Sequence, residues 1–262
     1  MSERSTSSSE FLGVPRSSSE EQASHPEERR PATPSHSEEL RGTEELRGTP
    51  KYRFVFFDVD STLVTIEGID ELARGNGEIA RLTDAAMNGE IALDQVYAKR
   101  LEIIRPTLAE VEALGQRYIA SMVDGAQETI VALQDAGAQV HLVTAGIAQA
   151  IAPLAQALQI PPRAVHAVSL EFDADGRYAG FDRGSLLTRV GGKELVVRAI
   201  LARSKGKSAF IGDGVSDLET RPAVTLFIGF GGVHARPLVR DNAEVYVTAP
   251  TLRAVLPYLI EK

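Results

Sequence analysis

From residue 51 onward, short apolar and β-branched runs alternate with longer stretches in which apolar and charged residues mix at helical spacing. The short runs predict strands over 53–58, 139–144, 208–213, 225–228 and 244–247. Strands alternating with helices predict an α/β fold: a Rossmann-like parallel sheet core covered by helices. The first three strands end in Asp58, Thr144 and Asp213. Ligands of open α/β sheets bind beyond the carboxyl ends of the strands, so these three residues are expected to border one crevice.

The first two strands are unusually far apart. Between them, residues 65–124 include "GEIARLTDAAMNGEI", "LDQVYAKRLEII" and "TLAEVEALGQRYIASM". A simple parallel crossover needs one helix, whereas this stretch holds enough for three or four. It is expected to form a helical cap inserted after the first strand of a core made of 51–64 and 125–262. Over a crevice, such a cap excludes water and selects the substrate. Farther on, "AVSLEFDADGRYAGFD" predicts a hairpin turning at Asp175-Gly176, with Gly176 at positive φ. A structural flap and a functional one are equally compatible with it.

Composition changes the picture at the start. The first 50 residues are crowded with Ser, Glu, Pro and Arg, too polar to offset the entropy of ordering, and are expected to be a disordered tail. "EELRGT" occurs twice there, at 38–43 and 44–49. Two copies are too few for a solenoid, and a local duplication in a solvated linker accounts for them. The 262-residue chain has a formal charge of −8 and no basic tract, which argues against nucleic acid as the main partner. It has no cysteine, which removes disulfides, thiolate metal sites and Cys nucleophiles. Without a signal-peptide core or a bilayer-spanning run, the protein is expected to be soluble and cytoplasmic, with no membrane partner.

Candidate chemistry begins in "FVFFDVDSTL". Asp58 and Asp60, two residues apart on an extended segment, would point to the same side. Facing one site, they repel unless a cation or a shared proton relieves them. With no His or Cys nearby in sequence, an oxygen-liking ion such as Mg²⁺ is the economical answer; capping of a turn is the plainer alternative. "FIGDGVSDLE" adds Asp213 and Asp217, flanked by Gly212 and Gly214, which let the backbone approach a ligand. "LVTAGI" adds the Thr144 hydroxyl and backbone N–H groups leading into a helix, an oxyanion site. Lys193 follows two glycines and opens the helix "KELVVRAILARS". Singly, Thr144 reads as a satisfied strand terminus and Lys193 as a solvated helix start. Together these groups suit phosphoryl transfer. His141 and His166 fall inside strands and read as packed or edge-exposed. The glycine-rich "GFGGVHARP" matches no nucleotide-binding pattern and reads as a loop bordering the crevice.

In order, "DVDST", "VTAG", Lys193 and "GDGVSD" resemble the haloacid dehalogenase superfamily, and the cap after the first motif looks like its phosphoserine phosphatase branch. The resemblance covers 52–262. It implies a Mg²⁺-dependent phosphomonoester hydrolase that works through an aspartyl phosphate, with Asp58 as nucleophile and Asp60 as general acid and base. Mg²⁺ would be held by the Asp58 carboxylate, the Asp60 backbone carbonyl and Asp213, with Asp217 in support. Thr144 and Lys193 would bind phosphoryl oxygens, beside Ala145, Gly146 and Ser216. Glu67 would face a substrate ammonium, Arg100 would fork onto its carboxylate, and Met87 would line the pocket. The implied partner is a small phosphorylated metabolite, O-phospho-L-serine first among them. Read alone, Glu67 is an exposed helix-start carboxylate and Arg100 a solvated helix face. Another phosphorylated metabolite, or phosphoryl transfer to an alcohol, would use the same core motifs. A non-catalytic signalling module is disfavoured by the cap and the second aspartate. Three positions depart from the family pattern: Thr144 and Ala145 stand where Ser and Gly are usual, their extra methyl groups tightening the site, and Ser216 stands where the longer Asn is usual.

Overall fold

The computed structural model describes residues 48–88, 90–91 and 93–261. Its strands are β1 (Thr49–Pro50), β2 (Phe54–Phe57), β3 (Gln139–Ile147), β4 (Val165–Val168), β5 (Leu170–Phe172), β6 (Tyr178–Phe181), β7 (Ser208–Gly212), β8 (Leu226–Phe230), β9 (Val245–Val247) and β10 (Ile260–Glu261). Helices α1 (Gly68–Leu72), α2 (Gly77–Met87), α3 (Leu93–Ile104) and α4 (Leu108–Ala120) lie between β2 and β3. Then come α5 (Ala126–Asp135), α6 (Ala148–Ala157), α7 (Gly192–Leu201), α8 (Val215–Leu218), α9 (Pro237–Asn242) and α10 (Leu256–Leu259). No helix among the described residues is long and apolar enough to cross a membrane.

Six strands form one parallel sheet in the order β4-β3-β2-β7-β8-β9. Every residue of β2 and β7 is buried, as expected of central strands covered on both faces. The chain builds outward from β2 to β3 and β4, then returns to lay β7 on the other side of β2. That reversal opens a crevice at the carboxyl ends of β2 and β7, where Asp58 N–H donates to the Ile211 carbonyl at 3.0 Å. Strand β3 runs three residues past the predicted end at Thr144, with a register shift against β4 between Val143 and Ile147. Thr144, Ala145 and Gly146 occupy this irregular stretch.

The helices between β2 and β3 start from local signals: Asn76 caps α2, and Thr107 with Glu110 forms a capping box at α4. Helix α4 packs on α6, where a Cβ at Gly115 would come within 3.0 Å of Pro153 and the Ala150 carbonyl. The predicted hairpin is present as antiparallel β5–β6, turning at Gly176 with φ 75°. It leans on the helical insert. Leu108 N–H donates to the Gly176 carbonyl at 2.9 Å, and Arg105 Nη2 donates to the Tyr178 carbonyl at 3.2 Å.

Sheet pairing begins inside the stretch assigned to the tail, because Thr49–Pro50 pairs antiparallel with Ile260–Glu261. The rest of that stretch, with the first "EELRGT" copy and most of the second, lies outside the described residues. His141 and His166 sit half-buried on β3 and β4, ring nitrogens 3.4 Å apart, with His141 against Phe54 and Phe56.

Candidate active site

Asp58 follows β2 and Asp213 follows β7, so adjacent strands deliver them to one place. Asp217 on α8 joins them: one carboxylate oxygen from each of the three lies within 4.8 Å of the others, and all three side chains are buried. The approach of Asp217 depends on Gly212, since a Cβ there would collide with the Asp217 carboxylate. Asp217 Oδ2 accepts from Gly214 N–H at 2.9 Å.

Lys193 enters from the first turn of α7 and is 3 % exposed, the opposite of a solvated helix start. Its ammonium lies 2.8 Å from Asp58 Oδ1 and 2.6 Å from Asp217 Oδ1. Burial disfavours that charge, yet the two carboxylates outweigh it and raise the Lys193 pKa above its ordinary value. Arg236 anchors the other side, donating from Nε to Asp213 Oδ2 at 2.9 Å, with Nη2 3.7 Å from Glu67 Oε1. Thr62 Oγ1 donates to Asp213 Oδ1 at 3.3 Å.

Asp60 does not continue the strand. It begins a turn in which Ser61 has φ 54°. Oδ1 accepts from Tyr118 Oη at 2.7 Å and from Gly68 N–H at 3.1 Å. Asp58 and Asp60 line the same pocket, while Asp217, and not the Asp60 carboxylate, completes the three-carboxylate cluster. Burial, opposed by the Tyr118 hydrogen bond and reinforced by the charge of Asp58, lifts Asp60 to about 7.

Asp58, Asp60, Glu67, Arg100, Thr144 and Lys193 line one pocket, with Ala145, Gly146 and Ser216 in its wall. Arg100 is 4 % exposed, not a solvated helix face. Its Nη1 donates to Thr83 Oγ1 at 2.9 Å, and Thr83 in turn donates to Asp70 at 2.6 Å. Glu67 is also partly buried, with Ser61 Oγ donating to it at 2.5 Å. Burial and the charge of Asp60 raise Glu67 to about 8. Thr144 Oγ1 accepts from Gly146 N–H at 3.0 Å. The Met87 side chain lies outside the described residues.

The five carboxylates of Asp58, Asp60, Glu67, Asp213 and Asp217 face three bases, Lys193, Arg100 and Arg236. Burial first, then neighbouring carboxylates, lift Asp213 to about 7 and Asp217 to about 8. This crowd of buried carboxyl groups, oxygen donors alone, is a candidate metal site for a hard cation.

Two residues of the site are absent from the sequence reading. Arg236 lies in the "GFGGVHARP" loop; the strand-end rule, applied to β8, points there. Tyr118 belongs to an amphipathic helix and carries no local signal for its bond to Asp60.

A profile of haloacid dehalogenase-like hydrolases matches residues 55–220. The chain is 40% identical over 201 residues to "Phosphoserine phosphatase" of Drosophila melanogaster, covering 75% of this chain and 74% of that protein. It is 36% identical over 198 residues to the Bos taurus protein of the same name, covering 74% of this chain and 88% of that protein. Among solved structures, "Phospho-Aspartyl Intermediate Analogue of Phosphoserine phosphatase" superposes with a TM-score of 0.69 at 28% identity, covering 80% of this chain and all of the other. With its sheet order and buried acidic cluster, the chain belongs to the haloacid dehalogenase-like hydrolases, in the phosphoserine phosphatase family.

Proposed function

We propose that the protein hydrolyses O-phospho-L-serine to L-serine and phosphate in a Mg²⁺-dependent reaction through an aspartyl phosphate. The observation that carries this reading is one pocket holding both the reactive aspartates and a buried arginine. Asp58 attacks phosphorus, and the serine alkoxide leaves with the proton from Asp60. Asp60, now a carboxylate, takes a proton from water, which attacks the aspartyl phosphate and regenerates Asp58. An Asp60 pKa of about 7 suits a group that gives and takes a proton in one cycle. Lys193 and Thr144 bind phosphoryl oxygens, and Lys193 holds the Asp58 side chain in place through its ion pair.

Asp58, the Asp60 carbonyl and Asp213 would hold Mg²⁺, with Asp217 in support, and the oxygen-only donor set fits that ion. Bound there, the ion offsets the negative charge that accumulates between the aspartates and the phosphoryl group. Residues 65–124 act as a cap, a role supported by the grip of Tyr118 and Gly68 on Asp60. Glu67 and Arg100 bind the substrate ammonium and carboxylate.

Steady-state phosphate release from phosphoserine, sugar phosphates and p-nitrophenyl phosphate, with Mg²⁺ and with EDTA, tests the reading. Phosphoserine is expected to lead by about 100-fold in kcat/KM, equivalent to about 2.7 kcal/mol, with all turnover lost in EDTA. A flat profile would discard the serine assignment, and turnover in EDTA the metal.

A further inference from the structure

Arg236 is not among the residues that line the pocket, yet it is buried and its guanidinium reaches three separate segments of the chain. Nε donates to Asp213 Oδ2, after β7, at 2.9 Å. Nη1 donates to Asn88 Oδ1, at the end of α2, at 3.4 Å. Nη2 lies 3.7 Å from Glu67 Oε1, just before α1. The local sequence prepares this: Pro237 opens α9 and favours an extended residue before it, and Arg236 has φ −98° and ψ 117°. A planar fork with donors on several sides can serve three acceptors at once, which a lysine ammonium on a flexible stem does not match.

Of the three acceptors, Glu67 alone lines the pocket. Its Oε1 is held from two sides, by the Ser61 hydroxyl at 2.5 Å and by Arg236. Both contacts fall on Oε1, so Oε2 is the oxygen left to meet a ligand. Without Arg236 the carboxylate would keep one hydroxyl donor and could turn about its terminal bond, which has a broad rotational minimum. We infer that Arg236 is a positioning residue for amine recognition: it fixes Glu67 Oε1, and so aims Oε2 at the substrate ammonium. This rests on the phosphoserine reading, which places an ammonium at Glu67. An arginine that only balanced buried Asp213 would make the same bond to that aspartate but leave the choice between esters untouched.

The test compares kcat/KM for phosphoserine and for L-glycerate 3-phosphate, the same ester with a hydroxyl in place of the ammonium. The proteins are wild type, Arg236→Lys, Glu67→Gln and the double variant. Lysine keeps a cation beside Asp213 and gives up the fork. A hydrogen bond to a charged group is worth roughly 10-fold or more. The ratio of phosphoserine to glycerate phosphate is expected to fall by about that factor in Arg236→Lys, carried by KM, with inhibition by L-serine weakened in parallel. Glu67→Gln should lower the ratio too, and adding Arg236→Lys should lower it no further, because Arg236 acts through Glu67. If wild type discriminates and Arg236→Lys keeps its ratio, even with both rates reduced, the assignment is overturned and Arg236 serves Asp213 alone. Additive losses in the double variant overturn it as well. If wild type does not discriminate, the phosphoserine reading fails, and this role with it. Circular dichroism checks the fold, and Arg236→Gln carries the same comparison should Arg236→Lys not fold.

Discussion

Lys193 holds its ammonium 2.6 Å from Asp217 Oδ1 in a place where neither side chain meets solvent. The pair fixes the amine that also contacts Asp58. Lys193→Met keeps the stem and removes the charge, leaving two buried carboxylates unpaired. It is expected to cost about 3–5 kcal/mol of stability in urea denaturation. It should also lower kcat/KM by roughly 10²–10³-fold. An unchanged denaturation midpoint would show that the carboxylates are balanced by something other than the amine.

Asp58→Asn removes the proposed nucleophile and leaves a side chain of the same shape. Turnover is expected to fall by ~10⁴-fold or more, with no acid-stable, hydroxylamine-sensitive phosphoryl label on the protein. Mass spectrometry excludes deamidation back to Asp. Retained labelling would move the nucleophile elsewhere.

Asp60 sits at about 7 because burial penalises its carboxylate. In its proposed role of proton donor to the leaving alkoxide it works in the neutral form, so kcat/KM for phosphoserine should decline as pH rises through that value. p-Nitrophenolate needs no proton to leave, so its profile should be flatter. A cation near Asp60 favours the carboxylate, so raising Mg²⁺ should move the limb to lower pH. Parallel pH profiles for both esters would remove Asp60 from the acid role.

Gly212→Ala places a methyl group against the Asp217 carboxylate, which Lys193 and Gly214 hold from the other side. With no room to yield, the variant should lose about 1–3 kcal/mol together with activity. Wild-type values for both would mean that Asp217 has freedom its contacts do not show.

His141 lies between Phe54 and Phe56 and faces His166, with Arg163 nearby. Burial, then the two neighbouring cations, lower its pKa from 6.5 to about 4. Between those values the unfolded chain binds the extra proton, so stability is full above 6.5 and declines as pH falls toward 4. After discounting for partial exposure, the loss is about 1–2 kcal/mol. His141→Phe should flatten this limb of the melting temperature against pH; an unchanged limb would assign it to other groups.

The sheet was legible because its central strands are buried on both faces and therefore read as unbroken apolar runs, as "FVFF" and "SAFIG" do. The hairpin was legible through Gly176, the one residue type that takes its φ without strain. The turn at Ser61 was not, since serine carries no preference for positive φ and its conformation comes from the contacts around it. Arg100 reads as a solvated face because a charged residue is expected on the exposed side of a helix, whereas it lies on the buried face of α3 beside Tyr97. Arg236 was hidden by distance in sequence: its partners Asp213 and Glu67 are brought to it only by the closed sheet.

The hairpin β5–β6 gives the helical insert a second tether. The insert is covalently joined to the sheet before α1 and after α4, and the bonds from Leu108 N–H to Gly176 and from the Arg105 side chain to Tyr178 fasten its middle, at the α3–α4 junction. Any displacement of that junction relative to the sheet must therefore carry the two-stranded hairpin with it or release two carbonyls.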